Sequence, residues 1–215
     1  MARIQTQNAR VAGMAAAIPK QTVTTEETAR NLGLVNPSKV VAMTGIRQRH
    51  IVTPDVCTSD LCANAAEKLL LKMAWDPSSI DALIFVTQTP DFRLPATACG
   101  LQHRLGLSKR CAAFDVNQGC SGYVYGLFLA SSLIESGLAR VLVLAGDTLS
   151  KLICHRDKST IFLFGDAGTA TAMERSASHL SFIVGTDGAG GDHLGSSAVS
   201  VVLDPDLRER RGCVF

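Results

Sequence analysis

The sequence predicts an α/β fold, a mainly parallel or mixed β-sheet covered by helices. Two observations predict it. The runs Ala82–Thr87 (ALIFVT) and Val141–Ala145 (VLVLA) are apolar, too short for helices and rich in strand formers, as strands buried on both faces are. Between and around them lie stretches with helical periodicity and helical start and stop signals. A strand–helix–strand order of this kind gives a parallel sheet joined by right-handed crossovers.

The elements follow in chain order. Val11–Ile18 is a short apolar run bracketed by Pro19 and Lys20, better suited to a strand than to the core of a signal peptide. Thr24–Asn31 reads as a short helix, with Thr24 as N-cap and Glu27 three residues on, a capping box. Asn36–Met43 reads as a further helical segment ended by Gly45. Thr58–Trp75 is amphipathic: Leu61, Ala65, Leu69 and Met73 share one face, away from Glu67, Lys68 and Lys72, and Asp76–Pro77 stops it. Pro95–Leu105 reads as a helix opened by Pro95 near its first position. Ala113–Asn117 reads as a strand, and Cys120–Ser136 as a helix closed by Gly137. Thr160–Phe164, Thr169–Met173 and Leu180–Thr186 are read as further strands, and Asp187–Gly195 as a glycine-rich loop.

The bulk properties narrow the function classes. Apolar residues make up 47% and charged residues 19%, the balance of a globular chain. A net charge of +2 gives no reason to expect nucleic acid as a partner. No window approaches the ~18 uninterrupted apolar residues of a membrane span. Seven cysteines, without a CxxC pair, argue against a zinc site or a disulfide framework and for a reducing, cytoplasmic setting.

One cysteine stands apart. Asp115–Gly122 (DVNQGCSG) follows a buried strand and opens a helix that carries Gly122 and Gly126. A cysteine at a helix N-terminus faces unsatisfied N–H groups and the positive end of the helix dipole, which favour thiolate, the better nucleophile. Gly119 permits a tight turn, and glycines one turn apart permit close packing. Cys120 is either a nucleophile raised at the carboxyl end of a sheet or one more small buried residue.

Four islands carry a resemblance to the β-ketoacyl-ACP synthase III family of the thiolase superfamily: TGIRQRHI (Thr44–Ile51), DVNQGCSGYVYGL (Asp115–Leu127), FGDAGTA (Phe164–Ala170) and TDGAGGDHL (Thr186–Leu194). The resemblance runs from about Val11 to Gly195 and implies the N-terminal half of a thiolase-like fold. It implies that Cys120 is acylated by acyl-CoA and that the acyl group condenses with malonyl-ACP, with loss of carbon dioxide. No resident cofactor or metal is expected. An acyl pocket is expected around Phe92, Leu94 and Phe164. The family carries a pocket residue near Leu94 that reaches across a dimer interface, so a homodimer is implied; Leu94 could equally be ordinary core.

The same resemblance marks departures. Lys39 and Met43 stand where many relatives carry a tryptophan and an arginine before TGIR. Arg47 keeps its family identity, as a substrate contact or a structural ion pair. Arg156 and Lys158 lie near where relatives place a CoA-binding arginine, and could be solvated loop charges. Of the five histidines, His50, His103, His155, His179 and His193, none matches the family's catalytic position; His193 alone lies in a loop expected near the pocket. The expected division is a thiolase-like N-terminal domain over 1–203 and a charged tail over 204–215, truncated or frameshifted, with the C-terminal thiolase half absent. The alternative to a complete acyltransferase is a non-condensing remnant or interaction subunit paired with an intact homologue.

Overall fold

The computed structural model describes residues 1–34, 36–158 and 160–190. The chain folds as two units. The first comprises Met1–Ile18, Asp55–Asp147 and Ala167–Gly185; the second is built around Pro19–Pro54 and Thr148–Asp166.

The first unit is an α/β layer structure. Its five-stranded sheet has the order β2 (Ala9–Ala17), β8 (Asp166–Arg175), β7 (Arg140–Thr148), β5 (Ala82–Val86), β6 (Ala112–Val116). β5 runs parallel to β6 and to β7, whereas β2 and β8 are antiparallel, so the sheet is mixed. All five residues of β5 are buried. Side chains alternate between the faces of a strand. Ile84, Val86, Val141 and Val143 therefore meet Ala130 and Ile134 of α5 (Gly122–Glu135) on one face. Leu83, Phe85, Leu142 and Leu144, equally buried, point to the other. There α3 (Thr58–Met73) lies so close to β2 and β8 that a Cβ on Gly13 would stand 2.9 Å from Met73 Sδ, and one on Gly168 2.6 Å from Leu61 Cβ. A separate two-stranded ladder pairs β1 (Ala2–Thr6) with β9 (Leu180–Val184).

The second unit holds α1 (Thr25–Asn31), α2 (Pro37–Thr44) and the antiparallel pair β3 (Thr22–Thr24) and β4 (Gln48–His50). Thr24 caps α1 as its sequence requires: Glu27 N–H donates to Thr24 Oγ1 at 3.1 Å and Thr24 N–H to Glu27 Oε2 at 2.8 Å. Gly45 ends α2 in the left-handed region at φ 74°, a conformation that glycine reaches without a Cβ penalty. Asp166 ties the unit together, accepting from the N–H of Val52 at 2.8 Å and of Ser150 at 3.0 Å. Buried Arg49 donates to the Phe164 carbonyl at 3.0 Å and to Thr28 Oγ1 at 3.1 Å.

Three expectations are corrected. Thr160–Phe164 forms turns, not a strand, because Ile161 and Phe162 are drawn into a local cluster with Ala29 and Ile153 instead of a ladder. The helix expected from Pro95 is α4 (Thr97–Arg104), with Ala96 as N-cap. Its start is set at Thr97 by a carboxylate from another strand. The helix expected from Cys120 begins at Gly122. The tail over 204–215 lies outside the described residues.

Two glycines separate packing from propensity. A Cβ at Gly168 would meet backbone, 2.6 Å from Cys62 N and 2.7 Å from Leu61 C, so Gly168→Ala should lose about 3 kcal/mol of unfolding free energy in urea titration. Gly100, within α4, has nothing within 4 Å of such a Cβ, so Gly100→Ala should gain roughly 0.5–1 kcal/mol.

The capping box gives a pH signature. The hydrogen bond from the Thr24 backbone, then that from its side chain, holds the Glu27 carboxyl below its ordinary value of 4.5. A depressed carboxylate stabilises fully above its unfolded pKa and loses that contribution as pH falls through the folded one. Thermal unfolding of Glu27→Gln should therefore fall below wild type at pH 7, and the gap should close as pH is lowered through and below the ordinary carboxylate range.

Candidate active site

The site is built at the carboxyl ends of parallel strands β5, β6 and β7. Between β6 and α5 the chain turns sharply: Gly122 N–H donates to the Gly119 carbonyl at 2.7 Å. α5 then descends onto β5. A Cβ at Gly122 would stand 2.6 Å from Val86 Cγ1, and one at Gly126 2.9 Å from Val86 Cγ2 and 3.0 Å from Val143 Cγ1. Only glycine admits this approach. The turn leaves Cys120 exposed, one residue ahead of the N-cap Ser121. It is thus beside the helix terminus and not within its first turn, as the sequence suggested.

Two carboxylates hold the surroundings. Asp115 Oδ2 accepts from Thr97 N–H and its Oδ1 from Ala98 N–H, both at 2.8 Å, so the strand leading to Cys120 caps α4. Ala96 at the N-cap has no side chain to do so. Asp147, at the end of β7, accepts at Oδ1 from Gln88 N–H at 2.7 Å, Thr89 N–H at 3.1 Å, and the Thr87 and Thr89 hydroxyls at 3.0 Å. That fixes the turn after β5. The Gln88 side chain, at its centre, lies over the elbow: a Cβ on Gly119 would be 3.2 Å from Gln88 Nε2 and 3.3 Å from its Oε1.

Phe92 and Leu94 line one cleft of about 420 Å³ with Asp91, Thr97, Leu101 and Arg104. Both are exposed, at 64% and 88%. Cys120 is not among that cleft's lining residues. Phe164, Arg47 and Lys158 belong to the second unit. Phe164 is half-buried against the Ile153–Ile161–Phe162 cluster. Arg47 and Lys158 are exposed, and Arg47 forms no ion pair among the described residues. His50 ends β4, its Nδ1 2.7 Å from the Pro19 carbonyl; His103 lies in the last turn of α4. His193 is outside the described residues.

Other cysteines are set apart by burial. Desolvation pushes the Cys62 thiol up to about 12, and, aided by the Asp81 charge, the half-buried Cys111 thiol up to about 11. Gln88, Asp115 and Asp147 escaped the sequence reading. Asp115 lay inside a recognised island, but its partner Thr97 is 18 residues away; the Asp147–Gln88 pair spans 59 residues. No local pattern announces either.

A thiolase-like α/β fold that raises a cysteine on a strand–elbow–helix is what this fold and elbow define. The family model for 3-oxoacyl-[acyl-carrier-protein (ACP)] synthase III matches residues 114–188, the span from the elbow through β9. A Campylobacter jejuni protein named as a 3-oxoacyl-[acyl-carrier-protein] synthase 3 is 38% identical over 190 residues, 86% of this chain and 54% of that protein. The crystal structure of a 3-oxoacyl-(acyl-carrier protein) synthase from Burkholderia xenovorans LB400 superposes with a TM-score of 0.86 at 44% identity, covering 89% of this chain and 56% of that one. The priming β-ketosynthase of the R1128 polyketide pathway gives 0.82 at 28% identity, covering 94% and 61%. The chain belongs to the 3-oxoacyl-ACP synthase III family and spans about half the length of the curated relatives it matches.

Burial predicts an order of alkylation. A thiol raised to about 12 carries roughly one part in 10⁴ thiolate at pH 8. Brief iodoacetamide treatment of native protein at pH 8, read by peptide mapping, should label exposed Cys120 and Cys99 well before Cys111 and Cys62.

Proposed function

We propose that the chain is an acyltransferase of the 3-oxoacyl-ACP synthase III type, loaded on Cys120. The observation that carries this reading is the exposed cysteine on a glycine-built elbow, inside the segment that the family model matches. In the first half-reaction the Cys120 thiolate attacks the thioester carbonyl of acyl-CoA. The new C–S bond forms as the carbonyl oxygen takes the negative charge. Collapse expels the carrier thiolate, which takes up a proton, and leaves the acyl group on Cys120. In the second, malonyl-ACP loses carbon dioxide and its carbanion attacks the acyl-cysteine carbonyl. The Cys120 thiolate leaves and 3-oxoacyl-ACP departs.

The remaining assignments rest on the same reading. In the first unit Phe92 and Leu94 offer apolar surface to an acyl group; in the second, Phe164 offers apolar surface and Arg47 and Lys158 offer cations to a phosphate-bearing donor. Acyl-CoA and acyl carrier protein are the partners. Two large apolar side chains exposed on one cleft, Phe92 and Leu94, favour a homodimer or a heteromer with another synthase chain. No helix among the described residues is long and apolar enough to cross a membrane.

Intact-mass spectrometry of the purified chain after exposure to acetyl-CoA and longer acyl-CoAs tests the reading. A mass gain equal to one acyl group is expected in wild type and none in Cys120→Ala. An adduct that survives in Cys120→Ala, or no adduct with any donor, refutes it.

A further inference from the structure

The turn after β5 ends in an unspent polar group. Thr87, Gln88 and Thr89 are fastened to Asp147 by two backbone N–H groups and two hydroxyls, all on one carboxylate oxygen. Hydrogen bonds to an ionised acceptor are the strong ones. Thr89 is further held by the Thr58 hydroxyl at the start of α3, at 2.7 Å. The backbone around Gln88 is thus fixed from two elements. Its side chain is exposed and lies against Gly119: three carboxamide atoms stand 3.2–3.4 Å from the position of a Cβ there. Gly119 precedes Cys120, and consecutive Cα atoms are about 3.8 Å apart. Among the described residues, neither amide atom of Gln88 has a side-chain hydrogen-bond partner. A planar donor–acceptor group is therefore pre-set beside the nucleophile's own backbone with its donors free.

We propose that Gln88 is a catalytic residue, donating from Nε2 to the carbonyl oxygen of the acyl group as it is transferred to Cys120. Asp147 is its positioning residue, acting through the Thr87–Thr89 turn. The inference rests on the acyl-transfer reading above. The chemistry suits the group. Charge develops on that oxygen in the tetrahedral intermediate, and a carboxamide carried by a fixed backbone beside the nucleophile needs little reorganisation to meet it. A Cβ at position 119 would displace the amide by a few tenths of an ångström.

The test is single-turnover acylation of the full chain by acetyl-CoA, beside iodoacetamide alkylation of Cys120. Alkylation displaces iodide and builds no oxyanion, so it reports the thiol alone. For Gln88→Ala the maximal acylation rate should fall about 10²-fold, with the half-saturating donor concentration and the alkylation rate both within about 3-fold of wild type, on the reasoning that uniform binding is untouched. Asp147→Ala should lower acylation in the same sense. Asp147→Asn, which keeps an acceptor at Oδ1, should recover much of the loss. Acylation of Gln88→Ala at the wild-type rate overturns the role of Gln88. So does an equal fall in acylation and alkylation, which would mark a merely structural brace. Wild type that alkylates but never acylates overturns the acyl-transfer reading, and this inference with it.

Discussion

The closeness of α5 to β5 is the constraint on which the site depends. Val86 occupies the space that side chains at positions 122 and 126 would need. With glycine at both, the helix can settle on the carboxyl end of the central parallel strand. The chain leaving β6 must then reverse within a few residues to enter that helix, and the residues of the reversal are Asn117–Ser121. Cys120 is exposed because the turn has no room to fold inward, the strand ends and the helix lying directly beneath it. Exposure, the property that a reactive thiol needs and that most cysteines lack, is thus a by-product of packing two glycines on a valine.

What the sequence made legible shares a physical origin. The capping box at Thr24, the left-handed Gly45, the amphipathic face of α3 and the runs that became β5 and β7 are all decided by neighbours within a few residues. So was the cysteine elbow, because its glycines sit beside it in sequence. What escaped depends on partners far along the chain. β1 forms only because β9, some 175 residues away, lies alongside it, and the three-residue strands β3 and β4 exist only as each other's partner. Thr160–Phe164 has a strand's composition, yet Ile161 and Phe162 are buried in a cluster with Ala29 and Ile153. Local propensity is a weak prior against such burial.

The start of α4 shows the same rule at the level of a single hydrogen bond. Proline at a first helical position is a sound local signal. It was overruled by Asp115, whose two oxygens reach the N–H groups of Thr97 and Ala98. A carboxylate at a helix N-terminus satisfies donors that would otherwise go unpaired and complements the dipole. That choice couples two parts of the site. The residue that opens the cysteine island also fixes the helix behind Phe92 and Leu94, so the elbow and the apolar cleft cannot shift independently.

The carboxylates at the two flanking strand ends therefore divide the labour. Asp115 on β6 organises the start of α4, beside the cleft of Phe92 and Leu94; Asp147 on β7 organises the turn of β5 that carries Gln88. Asp115 accepts from two backbone N–H groups at the start of α4 and Asp147 from two N–H groups and two hydroxyls of the Thr87–Thr89 turn, and neither is in an ion pair among the described residues. Backbone N–H and hydroxyl donors satisfy the carboxylates locally, and the Gln88 carboxamide is left lying against Gly119. The polar framework is in this sense spent inward, on the strand ends and the turn between them, and the Cys120 thiol and the Gln88 carboxamide are groups it leaves exposed.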